Sequence, residues 1–267
     1  MDPADILNSE EALRRASMAD VFLDLWGVLA DSRRMTPAYR QRAAELLWSL
    51  HGGSIEGWLR AHDAALAWYE AHMKKPETWE RGSWIEVVTR ADSENIARMF
   101  REAKVPPPSD PHRLSASLDL DVMSAIDAAF PDARSAIARL RKDRHRVFVS
   151  TNATESNARG ALRGAKLLDE LDGLFTGELL NAGKTDAAYW RGIVQRLQID
   201  PKRSFVVDDR PEYLKAAALV GFRCLLLDRE ALHPLAAMPP FVDGTLRNLA
   251  GLPQYVASAV RAARVRA

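Results

Sequence analysis

The sequence is poor in cysteine, in net charge and in long apolar runs. A single thiol, Cys224, excludes an intramolecular disulfide and any zinc or iron–sulfur centre built on several cysteines. The 37 Lys+Arg offset 36 Asp+Glu to leave a formal charge of +1, so there is no polycationic footprint for nucleic acid or anionic lipid. No apolar run approaches the ~20 residues that span a bilayer. Met1 to Glu11 lacks the basic start and apolar stretch of a secretory leader. These absences set the expectation of a cytoplasmic protein acting on a small molecule, with neither nucleic acid nor membrane as partner. Monomer and homodimer both stay open. What is present, 47% apolar and 27% charged residues over 267 positions, is the composition of a packed globular protein.

Along the chain the patterning changes twice. Val21 to Leu25 is nearly continuously apolar, as in a strand covered on both faces of a parallel sheet. From Arg33 to about Phe130 the signal is helical, with apolar residues at three- and four-residue spacing over Tyr39 to Leu50, Ile55 to Met73 and Trp84 to Ala103. Five tryptophans (Trp48, Trp58, Trp68, Trp79 and Trp84) fall in this block, and they read mostly as packing. Beyond Pro131, strands at 147–150, near 174–175, at 204–207 and at 224–227 alternate with helical segments. Such alternation predicts a doubly wound α/β core with a parallel, Rossmann-like sheet. The expected partition is an α/β core of residues 1–32 and 130–267 with an inserted helical cap at 33–129. The basic tail from Ala257 to Ala267 is expected to fray.

In a sheet of this type ligands bind beyond the carboxyl ends of the strands. The residues found there are Asp24-Leu25-Trp26-Gly27, Ser150-Thr151-Asn152, Lys184 and Asp208-Asp209. Converging carboxylates suit Mg²⁺, a lysine offsets negative charge, and a hydroxyl donates to an oxygen. Two look-alike motifs drop out. Gly177 to Thr185 has five residues between its glycines where a phosphate-binding loop needs four, and Leu118-Asp119-Leu120-Asp121 has no strand before it and no glycine after.

In order and spacing these segments resemble the haloacid dehalogenase superfamily of hydrolases. The first motif reads Val21-Phe22-Leu23-Asp24-Leu25-Trp26-Gly27-Val28-Leu29, and the second Val147-Phe148-Val149-Ser150-Thr151-Asn152. Gly183-Lys184-Thr185 is the third, and Phe205-Val206-Val207-Asp208-Asp209 the fourth. The resemblance covers about residues 19–32 and 130–248, and the intervening block is similar to the family's helical cap of the first type. It implies that Asp24 is a nucleophile forming a covalent aspartyl intermediate. Thr151 would bind the transferred group and Lys184 would stabilise its charge. Asp209, with Asp208, would hold Mg²⁺ together with Asp24 and the backbone carbonyl of Trp26. Trp26, Asn152 and Arg60 are the substrate-binding candidates.

Trp26 stands where the family's phosphatases usually carry a second Asp that protonates the leaving group, and indole offers no such proton near neutral pH. Tyr213 likewise occupies a position that often holds Asp or Asn. Three readings follow. The first is Mg²⁺-dependent hydrolysis of a small phosphate ester. The second is a metal-independent 2-haloacid dehalogenase-like C–X hydrolase, since that branch carries an aromatic residue at the Trp26 position and a cap arginine for which Arg60 is the candidate. The third is a catalytically degenerate binding or regulatory protein.

Overall fold

The computed structural model describes residues 18–234 and 238–266; Met1 to Glu11, read above for a leader, lies outside them. Strands β1 (Asp20–Leu23), β2 (Arg146–Thr151), β3 (Gly173–Thr176), β4 (Ser204–Asp208), β5 (Arg223–Leu227) and β6 (Gly244–Leu246) form one sheet in the order β3-β2-β1-β4-β5-β6. Every pairing is parallel. The first strand lies at the centre, with Val21 in register with Val147 on one side and Phe205 on the other. The chain runs outward from β1 in both directions, so the topological switch point falls between β1 and β4.

Period-two alternation divides the strand residues between two apolar layers. Val21, Leu23, Val147, Val149, Phe205, Val207, Leu225 and Leu227 pack on one face, with Ala133, Ile137 and Leu140 of α6 (Ala133–Lys142) and Leu252 and Val256 of α11 (Leu252–Arg266). Phe22, Phe148, Phe175, Val206, Cys224 and Leu226 pack on the other, against Tyr189, Trp190 and Ile193 of α9 (Ala187–Leu197) and Leu214 and Ala217 of α10 (Pro211–Val220). This is why the strands read as unbroken apolar runs, and the lone thiol of Cys224 is one more buried packing group.

Between β1 and β2 the chain builds only helices: α1 (Ser32–His51), α2 (Ile55–Met73), the single turn α3 (Pro76–Trp79), α4 (Trp84–Ala103) and α5 (Pro111–Ser124). Their ends are capped locally. Asp31, Ser54 and Asp110 each accept a hydrogen bond from a first-turn N–H, and Ser83 with Glu86 forms a capping box. The boundaries of α2 and α4 are those the apolar spacing predicts. Helix α5 falls within the block read as helical but was not singled out, and β6 is a three-residue edge strand too short to show alternation. At the tail, α11 runs as helix through Arg266. Among the described residues no helix is long and apolar enough to cross a membrane.

Helix α5 lies closely against α7 (Glu155–Gly164), and two glycines permit it. A Cβ at Gly160 would stand 2.5 Å from the carbonyl oxygen of Asp119, and one at Gly164 would stand 2.3 Å from those of Met123 and Ile126. Backbone atoms cannot yield to such contacts as a flexible side-chain end can. Gly164→Ala is therefore expected to destabilise the fold by about 1–3 kcal/mol, measured by urea denaturation. An unchanged midpoint would contradict this packing account.

Candidate active site

The central strand delivers Asp24 to the switch point. Its backbone N–H donates to Val207 of β4 at 3.0 Å, extending the ladder by one residue past β1. The chain then turns sharply. Leu29 and Ala30 donate back to Leu25, and Gly27 donates to Ala30 at 2.9 Å. Gly27 has φ +86°, and a Cβ there would lie 2.1 Å from an Asp209 carboxylate oxygen. Only glycine lets the fourth motif come this close to the first. From outside, Arg229 clamps the turn. Its guanidinium donates to the carbonyls of Gly27 and Val28 and pairs with Asp132 at 3.0 Å.

Lys184 is fully buried, and all three of its ammonium protons are engaged. Nζ donates to Asp24 Oδ1 at 2.7 Å, to the Ser150 carbonyl at 3.0 Å, and to Asp208 Oδ2. Its backbone is fixed as well, with N–H donating to Asn152 Oδ1 at 2.7 Å and the carbonyl accepting from Trp190 Nε1 at 2.9 Å. Burial works to lower the ammonium pKa, but the Asp208 and Asp24 carboxylates outweigh it and hold the pKa above its ordinary value. The Tyr213 ring lies 5.1 Å from Nζ and its hydroxyl accepts from Arg210 at 3.2 Å, so this position walls the lysine.

The two aspartates after β4 divide their work. Asp208 is wholly buried and spends both oxygens on protein donors, Oδ2 on Lys184 and Oδ1 on the Arg210 N–H at 2.9 Å. It anchors the lysine and does not line the cavity. Asp209 does line it, and its Oδ1 is buried with no hydrogen-bond partner. Burial, then the nearby Asp24 charge, raises the Asp209 pKa. Asp24, Asp208 and Asp209 can each place an oxygen within 4.8 Å of the others. This hard-oxygen donor set with one orphaned oxygen fits a divalent cation.

Above these groups opens a cavity of about 960 Å³ that reaches from Asp24 and Asp209 to the inserted helices. Trp26, Thr151 and Asn152 line it as the sequence predicts. Thr151 Oγ1 accepts from the Ala153 N–H at 3.2 Å, and Asn152 also orients the lysine loop. Arg60 is not brought to the site. It is exposed on α2 and lines neither this cavity nor the one beside it, because the buried face of that helix is set by Trp58, Ala61, His62 and Ala65. Asp31, an obvious extra carboxylate near the first motif, caps α1 and accepts from Arg33 at 3.0 Å. The Gly177 to Thr185 stretch is no phosphate loop: it opens with the single turn α8 (Gly177–Leu180), where Gly177 gives room to the Trp84 ring.

The inserted helices contribute acids that periodicity did not single out. Asp92 and Asp119 line both the large cavity and an adjoining one of about 250 Å³ walled by Trp26, Tyr39, His62, Tyr69 and Asn157. Tyr39 and Asn157 donate to Asp119 at 2.9 and 3.0 Å. Burial, reinforced by the Asp119 charge, pushes the Asp92 pKa up to about 7.

A switch-point site of this kind, under a helical insertion, places the chain among the hydrolases built on a Rossmann-like sheet. The family can be stated outright: the model of the haloacid dehalogenase-like hydrolases matches residues 21–221, and the chain belongs to that family. Over 134 residues it is 29% identical to Phosphatase MT3486 of Mycobacterium tuberculosis, a stretch covering 50% of this chain and 58% of that protein. Over 157 residues it is 25% identical to Protein CbbY of Cereibacter sphaeroides, covering 55% and 68%. Among solved structures, the 2-haloacid dehalogenase of Pseudomonas syringae pv. Tomato superposes with a TM-score of 0.60 at 18% identity, over 91% of this chain and 99% of that one. The HAD phosphatase of Thermococcus onnurineus gives 0.58 at 17%, over 90% and 98%. Phosphatases and dehalogenases therefore share this fold.

Asp92 yields a pH test. Its folded pKa of about 7 exceeds the ordinary value of about 3.9 expected in the unfolded chain, so folding favours the protonated acid. The stability it contributes is complete below about pH 4 and is lost as the pH rises through its folded value of about 7. Asp92→Asn should therefore raise Tm more at pH 8 than at pH 5, followed by thermal denaturation. An equal shift at both pH values would refute the assignment.

Proposed function

We propose that the protein is a Mg²⁺-dependent phosphohydrolase of small phosphate monoesters, with Asp24 as nucleophile and the inserted helices as a cap over the site. The observation that carries this reading is the Asp24–Asp209 face of the cavity, where Asp209 Oδ1 is buried without a partner. Asp24, Asp209 and the Trp26 carbonyl would hold the ion, with Asp208 anchored behind them. When bound, the ion neutralises phosphate charge and acts as a Lewis acid at its oxygens.

The chain's own groups account for the rest. Lys184 occupies Asp24 Oδ1, so Oδ2 is the oxygen free to attack phosphorus. As the Asp24 O–P bond forms, the P–O bond to the leaving group breaks, and an alkoxide leaving group takes its proton from water. Water then attacks the aspartyl phosphate, releasing inorganic phosphate and restoring the Asp24 carboxylate. The Lys184 ammonium beside Asp24 and a donor hydroxyl at Thr151 offset charge on the transferred group. Trp26 lines the cavity where an acid would otherwise stand and has no proton to give. With no acid at position 26, the leaving oxygen must depart as a stable anion or take its proton from water or from a donor carried on the leaving group itself. Helices α1, α4 and α5 wall the cavity and would exclude bulk water during attack.

The C–X hydrolase reading has one observation in its favour, the aromatic side chain at position 26. The electrostatics run against it. A 2-haloacid carries a carboxylate, yet the cavity is lined by Asp24, Asp92, Asp119 and Asp209, and its one lining cation, Arg210, is exposed and paired with Glu212 at 3.1 Å.

A panel of phosphate monoesters with Mg²⁺, run beside 2-haloacids without it, separates the readings. Phosphate release that EDTA abolishes and that falls at least a thousandfold in Asp24→Asn, on the order of nucleophile loss elsewhere, is the expected result. Halide release without metal would replace this reading with the second. Turnover of neither class, with wild type and Asp24→Asn binding the esters alike, would identify a binding protein.

A further inference from the structure

The pocket of about 250 Å³ that adjoins the large cavity sets two carboxylates among apolar, aromatic and neutral polar side chains. Asp92 and Asp119 face it, and no lysine or arginine lines it. Their charges repel each other, and each carboxylate is met only by neutral donors: Tyr69 on Asp92, and Tyr39 and Asn157 on Asp119. Further polar atoms in the same walls have no hydrogen-bond partner. His62 lines the pocket, is 8% exposed, and its Nδ1 has no hydrogen-bond partner, Asp63 lying 3.7 Å away. Burial lowers the His62 pKa, which disfavours a counter-charge on the ring. The buried amide oxygens of Asn95 and Asn157 are likewise without partners. Rings of Trp26, Tyr39 and Tyr69 add polarisable surface, and Met35, Leu66, Ile96, Met99 and Met123 make the rest of the wall apolar.

Paired acids among apolar and aromatic side chains, with no lysine or arginine, are complementary to an N–H-bearing cation carried on an alkyl stem. The pocket adjoins the large cavity and shares Trp26, Tyr69, Asp92, Asp119 and Asn157 with it. A group seated there would belong to the part of the substrate that leaves when Asp24 attacks. We propose that Asp92 and Asp119 form a recognition subsite for a protonated primary amine on the leaving group, so that the substrates are aminoalkyl phosphate monoesters. This deepens the phosphohydrolase reading and rests on it.

The test compares an aminoalkyl phosphate with its uncharged alkyl isostere and a carboxyalkyl analogue, using the full chain with Mg²⁺. The amine is expected to exceed the isostere in kcat/KM by about tenfold or more, with the carboxylate weakest. In Asp119→Asn that ratio should collapse toward one. A second readout uses Asp24→Asn protein, in which the amine should raise Tm more than the isostere does at equal concentration. Hydrolysis of all three esters at similar rates, with no differential thermal protection, would overturn the subsite and leave the phosphohydrolase reading standing. Hydrolysis of none, with the amine still protecting selectively, would retain the subsite as an amine-binding pocket and remove the phosphohydrolase reading. A ratio unchanged in Asp119→Asn would overturn the role given to that carboxylate.

Discussion

A protonated lysine in the interior is the constraint from which the site's geometry follows. Lys184 has no solvent exposure, and an ammonium without water is stable only when charge and hydrogen bonds replace the lost hydration. Asp24, Asp208 and the Ser150 carbonyl supply both, each from the carboxyl end of a different central strand. Removing one partner of such a buried set costs about 3–5 kcal/mol, because the remaining charge is stranded. The same contacts fix where Asp24 points and which of its oxygens is free. Satisfying a buried charge and aiming a nucleophile are thus one structural task.

The surrounding residues serve that triad. Asn152 and Trp190 hold the lysine backbone from either side, Gly27 admits Asp209 to the cavity edge, and Arg229 clamps the turn after β1. On the opposite wall the balance of charge is different. Lys184 compensates the acids at the sheet, whereas Asp92 and Asp119 on the inserted helices face the cavity with neutral partners only. The cavity is therefore cation-buffered where a phosphoryl group would sit and acidic where the rest of a substrate would lie. A carboxylate-bearing substrate fits this arrangement poorly.

The sheet and the triad were legible in the sequence for a common reason. Strands buried on both faces leave continuous apolar runs, and in a parallel sheet the residue after such a run lies on the ligand rim. Asp24, Thr151 and Asp209 could be found by that rule, Lys184 by its place in the order of motifs, and Trp26 by its departure from the family motif. Rim position does not reveal side-chain partners, however, so the contact of Asp208 with Lys184 and its burial behind the cavity were not legible. Helices are less informative, since periodicity distinguishes an apolar stripe from a polar one but not solvent from a cavity. Arg60 sits one residue before the buried Ala61 and His62, a small offset that turns it to solvent. Asp92 and Asp119 look like ordinary polar-face residues in sequence, and only the meeting of α4, α5 and α7 makes them neighbours. Glycines at 160 and 164 show no pattern until the backbone of α5 is placed against them.

The central claim is that Asp24, aimed by Lys184, accepts the transferred group. Peptide mass spectrometry of protein acid-quenched during turnover of a phosphate ester with Mg²⁺ addresses it directly. The account predicts a phosphoryl group on Asp24, absent from Asp24→Asn. Steady phosphate release with no adduct on Asp24 at any quench time would contradict it.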